Sequence, residues 1–234
     1  MSDIAVEVKN VRKVYGHDNT EVVALAGATF SVRGGEVVAL LGPSGAGKST
    51  LLNILGLVTA PTTGTVVIGG ISVVEGPREL VNVRAFRRQH IGFVFQKANL
   101  IAFLTAVENV QLAMEINDLP RGEARRRALE LLKYFSVDDC ANRRPAELSG
   151  GQQQRIAVAR ALANKPGLIL ADEPTAALDR ERGRQVMELF ARIAHEQGAA
   201  VIVVTHDHRA LEVFDRQLEM EDGELKPSNV RLSE

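Results

Sequence analysis

Residues 42–49 form a pattern suited to binding phosphate groups. The segment reads GPSGAGKS and matches the spacing G-x-x-x-x-G-K-[ST], after an apolar run and before a helical pattern. Its glycines let the backbone turn so that N–H groups point at phosphate oxygens, and the following helix adds the positive end of its dipole. We predict a nucleotide site in which Lys48 reaches the β- and γ-phosphates and Ser49 ligates Mg²⁺. The residues assigned to this phosphate loop are Gly42, Pro43, Ser44, Gly45, Ala46, Gly47, Lys48, Ser49 and Thr50.

Two adjacent acidic residues supply further groups that such a site needs. Asp172 and Glu173 follow the apolar run 168–171. A carboxylate at the end of a buried strand can hold Mg²⁺ through water, and a second carboxylate beside it can act on the attacking water. We therefore predict Asp172 as a metal ligand and Glu173 as the residue that polarises water.

Strands and helices must hold these residues in place, and the hydrophobic pattern indicates where they lie. Continuous apolar runs are typical of strands buried on both faces of a parallel sheet, and they lie at 37–41, 168–171 and 199–205. Helical patterns follow at 49–57 and 181–196, as βαβ units require. Alternating apolar residues within the first thirty-odd positions favour an antiparallel layer. The predicted fold class is α/β, with a mainly parallel core sheet and an N-terminal antiparallel β layer.

A second candidate phosphate site lies further along the chain. Residues 148–152 read LSGGQ, in which Ser149 is a favourable helix N-cap and Gln152 completes a capping box. A capping box does not require Gly150 and Gly151, which leave backbone N–H groups open at a helix start. With this string the chain resembles the ATP-binding subunits of ABC transporters, and its motifs follow that family's order over essentially the whole chain.

The resemblance implies a RecA-like P-loop NTPase core that binds ATP and Mg²⁺ and hydrolyses ATP. It also implies that each site is shared, because the signature 149–152 of one protomer closes on the γ-phosphate held by the phosphate loop of a second protomer. A head-to-tail homodimer and an integral-membrane permease are therefore the expected partners. The expected location is the cytoplasmic face of the inner or plasma membrane.

Further site residues follow from the resemblance, position by position. Tyr15 matches the aromatic residue that stacks on adenine, and Gln96 matches the glutamine that meets Mg²⁺ and the attacking water. His206 matches the switch histidine at the γ-phosphate, and Asp179 matches the segment that crosses the dimer interface. The family often has Ser or Gly-Asn where this chain has Ala176-Ala177, so no side-chain hydrogen bond across the interface is expected there.

We predict one ABC ATPase domain over residues 1–234. Within it, 1–96 and 165–234 form the nucleotide-binding core, and 97–164 form an inserted α-helical subdomain that carries the signature. Apolar residues after residue 123 recur at helical spacing, which indicates that this subdomain is helical.

Composition excludes several other classes of protein. The formal net charge is -1 and aromatic residues make up 4% with no Trp, which argues against a nucleic-acid partner. With Cys140 alone, the chain cannot form an internal disulfide. Its apolar runs are about a strand long, far short of the roughly 20 residues of a membrane span. The opening MSDIAVEVKN has no secretory pattern, so we expect cytosolic residence.

Four other functions are alternatives to the transporter hypothesis. A soluble ABC ATPase of repair or translation usually has two cassettes or a long coiled coil, and a small-molecule kinase would leave LSGGQ unexplained. An inactive adaptor is disfavoured by Lys48, Asp172 and Glu173 together. Residues 95–110 resemble the branch that serves macrolide export and lipoprotein release, although Ala102 stands where that branch commonly has Pro. An importer ATPase is the further alternative, and the short stretch after His206 favours export over it.

Overall fold

The computed structural model describes residues 4–16, 20–176, 178, 180–205 and 212–226. The strands are β1 (Ile4–Tyr15), β2 (Val22–Arg33), β3 (Val37–Leu41), β4 (Thr63–Ile68), β5 (Ile71–Glu75), β6 (Arg78–Glu79), β7 (Ile91–Val94), β8 (Leu168–Asp172), β9 (Ala200–Val204), β10 (Arg216–Glu221) and β11 (Glu224–Lys226). The α-helices are α1 (Lys48–Leu55), α2 (Val83–His90), α3 (Ala106–Glu115), α4 (Arg121–Tyr134), α5 (Gly150–Ala161) and α6 (Arg180–Gln197).

The three continuous apolar runs form neighbouring strands of the core sheet. Its order is β11-β10-β3-β9-β8-β7, and all pairs are parallel except β10 with β11. Every residue of β3 and β9 is buried, because other elements cover both faces of these strands. The predicted α/β class with a mainly parallel sheet is confirmed.

The N-terminal alternation forms a separate antiparallel sheet. Its order is β2-β1-β4-β5-β6, with Val6 opposite Val32 and Val8 opposite Phe30. Val6 and Val8 are fully buried while Glu7 between them is not, so one face of β1 packs inward. The predicted antiparallel β layer is confirmed.

Two hydrophobic cores lie on opposite faces of the core sheet, and β3 contributes to both. Its residues Val37, Ala39 and Leu41 join a core with the apolar faces of helices α3 to α6. The alternate residues Val38 and Leu40 join a second core with α1 and the antiparallel layer. The strand that leads into the phosphate loop is therefore held from both sides.

Helices dominate the interval for which we predict an inserted subdomain. Helices α3, α4 and α5 lie between β7 and β8, and α3 begins with a capping box between Thr105 and Glu108. Their buried residues belong to the same core as one face of the main sheet. The boundaries 97 and 164 therefore stay a prediction. No helix in the described part of the chain is long and apolar enough to cross a membrane.

Candidate nucleotide site

The phosphate loop is a tight turn between β3 and α1 that glycine makes possible at two crowded points. Gly42 and Gly47 have φ of 146° and 101°, in the region that favours glycine. A Cβ on Gly42 would lie 2.1 Å from the Met220 carbonyl oxygen, and one on Gly47 would lie 2.3 Å from that of Ala24. Any side chain at either position would force the loop away from its neighbours.

Several backbone N–H groups along this loop have no hydrogen-bond acceptor within the described part of the chain. Helix α1 begins at Gly47 without a side-chain cap and has no acidic residue in its first turn. Among the described residues, we find no acceptor for a row of backbone N–H groups that line the cleft. These are the N–H groups of Gly45, Gly47, Lys48, Ser49 and Thr50. Uncapped donors at a helix start, with the positive dipole end behind them, form a site for an anion.

Lys48 adds a full positive charge to this site. Its side chain is 9% exposed, and its ammonium donates to the carbonyl oxygens of Gly42 and Pro43, each at 2.7 Å. An ammonium has three donors, so one is left for an oxygen of a bound phosphate. The charge is therefore held against the loop rather than extended into solvent.

The loop lines one wall of a cleft of about 390 Å³. Strand β2 contributes Val22, Val23 and Ala24 to it, and Val22 and Val23 are 62% and 45% exposed. Neither valine is predicted as a site residue, because hydrophobic alternation does not show which apolar residues of a strand remain exposed to solvent. Tyr15 pairs directly with Val22 across the antiparallel ladder, which places its half-exposed ring beside this wall. The Lys13 ammonium lies 5.0 Å from the centre of that ring.

Glu173 contributes to the same cleft, and its backbone is unusual. It has φ of 44°, a left-handed value that is uncommon outside glycine. Its N–H donates to the Val204 carbonyl oxygen at 2.9 Å, which continues the pairing of β8 with β9 beyond the strand end. The chain therefore stays attached to the sheet while it turns at this carboxylate.

Asp172 ends β8 beside Lys48 and Glu173. Burial, and after it the charge of Glu173, raise the pKa of Asp172, while the Lys48 ammonium lowers it. Two crowded carboxylates of this kind favour a nearby cation.

The oxygen donors present suit Mg²⁺. Ser49, Asp172 and Gln96 supply a hydroxyl, a carboxylate and an amide oxygen, and Mg²⁺ prefers such hard ligands together with water and phosphate oxygens. Within the described ranges, no three or more His, Cys, Asp or Glu side chains are grouped to hold a metal. Three such protein oxygens would leave the other positions of an octahedral Mg²⁺ to water and nucleotide phosphate oxygens.

Gln96 follows β7 at the edge of the sheet where β8 also ends. The two strands are parallel, with Val94 opposite Ala171, so the residues that come after them emerge on the same side. Gln96 itself is exposed, and it is not among the residues that line the cleft.

The signature 149–152 starts α5 with the predicted capping box. The Ser149 hydroxyl accepts from the Gln152 N–H at 3.3 Å, and the Gln152 side-chain oxygen accepts from the Ser149 N–H at 2.9 Å. In the described residues, no acceptor is found for the N–H groups of Gly150 and Gly151. Ser149 and Gly150 are exposed, and no signature residue lines the cleft of its own chain.

Several predicted residues are placed away from the cleft or cannot be placed. Ala46 is buried in the core, and its N–H donates to Pro43 within the loop's own turn. Pro43 is exposed and borders a neighbouring hollow, of about 400 Å³, formed with β10 and β11. His206, Asp179 and Ala177 lie outside the described residues.

Comparison with known proteins gives consistent matches. The family model described as "ABC transporter" matches residues 25–176. An ABC transporter ATP-binding protein of Thermotoga maritima, of uncharacterised function, is 46% identical over 94% of this chain and 93% of its own length. The macrolide export ATP-binding/permease protein MacB of Brucella abortus is 44% identical over 94% of this chain but 34% of its own length. The solved dimeric post-hydrolysis structure of the ATP-binding cassette MJ0796 with ADP and Pi is similar with a TM-score of 0.87 and 42% identity, covering 98% of this chain and 100% of that one.

Proposed function

Because this chain belongs to the ABC transporter family, whose ATP-binding cassette hydrolyses ATP, we propose that it is the subunit that powers export or lipid and lipoprotein extraction through a separate permease. The observation that carries the proposal is the row of open N–H groups at the start of α1, beside the buried Lys48 ammonium. An anion of several charges bound there gains hydrogen bonds that the protein itself leaves unmade.

Phosphate binding is the first step of the mechanism. The loop amides and Lys48 hold the β- and γ-phosphates, while Tyr15 offers a face for the adenine ring. The exposed Val22 and Val23 extend the apolar surface beside that ring. The purine is thus held by residues of β1 and β2, and the phosphates by the loop that follows β3.

Hydrolysis needs a polarised water opposite the leaving group. Glu173, which lines the cleft, is the proposed residue for that water, and Gln96 orients it because an amide both donates and accepts. His206 is proposed at the γ-phosphate. Ser49, Asp172 and Gln96 would hold Mg²⁺, which neutralises charge that develops on the phosphate oxygens.

Dimerisation completes each site. Ser149 and Gly150 are exposed, and neither they nor Gly151 line the cleft of their own chain. We infer that they meet the γ-phosphate bound by a second copy, with Asp179 at the interface. The dimeric form of the similar cassette MJ0796, bound to ADP and Pi, supports this arrangement.

A permease and a membrane-bound location complete the proposal. MacB is named as a macrolide export ATP-binding/permease protein. We propose that membrane permease subunits are the partners of this chain, which lies on their cytoplasmic face.

Co-purification tests the transporter assignment. The Glu173→Gln variant, tagged and expressed in its own host, is purified from gently solubilised membranes with ATP, and its partners are identified by mass spectrometry. We expect a membrane permease, enriched relative to a Lys48→Ala control that cannot hold the phosphates. Recovery of soluble partners alone, while the wild-type chain hydrolyses ATP, would overturn the transporter role.

A further inference from the structure

The loop between β7 and α3 carries Gln96 and is held mainly by side chains from elsewhere. Residues 95–105 form neither helix nor strand. At the far end of this loop, Asn109 of α3 accepts from the Ile101 N–H at 2.7 Å and donates to the Ile101 and Leu104 carbonyl oxygens, each at 3.2 Å. Its near end, around Gln96, is held by a different helix.

Helix α5 holds the backbone on both sides of Gln96. The Gln154 amide donates to the Phe95 carbonyl oxygen at 3.3 Å. The Arg160 guanidinium donates to the carbonyl oxygens of Ala98 at 2.9 Å and Asn99 at 2.8 Å. Gln96 is thus bracketed by anchors one residue before it and two residues after it.

Burial and charge make these anchors strong. Gln154 is 4% exposed, so its amide has little access to water and needs a protein partner. Among the described residues, no carboxylate pairs with the half-buried Arg160. Its guanidinium donates instead to the two loop carbonyl oxygens. Hydrogen bonds from a charged donor are stronger than neutral ones, and the planar fork fixes direction as well as distance.

The helix that carries these anchors also carries the signature. Ser149 caps the start of α5, and Gln154 and Arg160 follow on the same continuous helix. Since a helix moves as a stiff unit, a displacement of its first turn is transmitted to the carbonyls beside Gln96.

We propose that Gln154 and Arg160 are positioning residues that set the place of Gln96 and tie it to the signature helix. This inference rests on the proposed function, in which Gln96 meets the attacking water. The N-terminal turn of α5 contacts phosphate bound by the partner chain, while its later turns fix the glutamine of its own chain. Closure of the site that contains the partner's phosphate loop therefore changes the position of Gln96 in the other site.

The test measures ATPase kinetics of the full chain with Mg-ATP. Arg160→Lys keeps the charge but loses the fork, and Gln154→Leu removes the other anchor. We expect each to lower kcat about tenfold or more with little change in KM, because misplacement of a catalytic group acts on the chemical step. Arg127→Lys is the matched control, since Arg127 donates to the Ala163 carbonyl oxygen at 3.1 Å, away from the loop.

A double-mutant cycle separates positioning from general weakening of the fold. If Arg160 acts through Gln96, Arg160→Lys causes no further loss of kcat in a Gln96→Ala background. If the double variant instead loses kcat by the product of the two single losses, the inference is overturned and the proposed function is unaffected. An unchanged kcat in Gln96→Ala alone would instead overturn the role of Gln96, and the inference with it.

A fluorescence measurement tests the same anchors without activity. The chain has no Trp, so Lys97→Trp introduces one reporter between the anchored carbonyls. We expect Arg160→Lys to lower the anisotropy of this reporter and Arg127→Lys to leave it unchanged. Equal anisotropy in the Arg160→Lys and parent proteins would contradict the anchoring role.

Discussion

Mixing two inactive variants tests whether each site is built from two chains. Lys48→Ala removes the ammonium from the phosphate loop, and Ser149→Arg places a bulky cation at the exposed start of α5. We expect each variant alone to lose ATP hydrolysis. Ser149→Arg is expected to keep nucleotide binding within its own chain, because no signature residue lines that cleft.

The expected fraction of regained active sites follows from how the two substitutions are distributed between the two sites of a mixed dimer. In a head-to-tail dimer of one variant with the other, one site contains both defects and the second site contains neither. Random pairing makes half of the dimers mixed, so an equimolar mixture should regain about a quarter of the wild-type sites. Sites complete within one chain would regain none.

Single-turnover hydrolysis is the appropriate assay, since it counts product from an intact site even when its neighbour is dead. The melting temperature of Ser149→Arg is compared with that of Ser149→Asn, which retains an N-cap; loss of the cap alone destabilises by about 1 kcal/mol. Mixed dimers are detected by cross-linking two differently tagged chains. Mixed dimers without product above that of the separate variants would refute the shared site.

Three further outcomes are expected. Glu173→Gln should bind ATP but stall with the dimer closed, as size-exclusion chromatography would detect; normal turnover would remove Glu173 from its role. Because burial and Glu173 raise the pKa of Asp172, the folded state keeps that proton to higher pH than the unfolded state does, and the ionised carboxylate destabilises the nucleotide-free protein. Asp172→Asn should therefore raise the melting temperature of the nucleotide-free protein at neutral pH but not at a pH below the ordinary carboxyl range; an equal gain at both would contradict this. Tyr15→Ala should weaken ATP binding about tenfold, as loss of one base-stacking partner does, in an equilibrium titration where Tyr15→Phe serves as the control.

The sequence predicted the parts of this fold and site that depend on local pattern. The buried strand 37–41, the phosphate turn and the capping box of Ser149 with Gln152 are each encoded within a few neighbouring residues. The continuous apolar runs also identified the parallel sheet, because burial on both faces leaves no room for alternation.

Other features depend on residues distant in sequence and were not predicted. Gln154 and Arg160 reach carbonyls 59 to 62 positions away, and a backbone acceptor leaves no mark in the side-chain sequence. The left-handed backbone at Glu173 occurs where its N–H bonds to Val204 on the neighbouring strand, a contact between residues 31 positions apart. The exposed Val22 and Val23 belong to the same strand as the buried Leu25 and Val32, so residue type alone does not separate them.

The hydrogen bonds from Lys48 to its own loop matter when the nucleotide is released. When the nucleotide leaves, the ammonium keeps the carbonyls of Gly42 and Pro43 and is not stranded in a pocket closed to water. The Lys48 charge therefore keeps its partners in the emptied loop, while the N–H groups at the start of α1 remain available to the next anion.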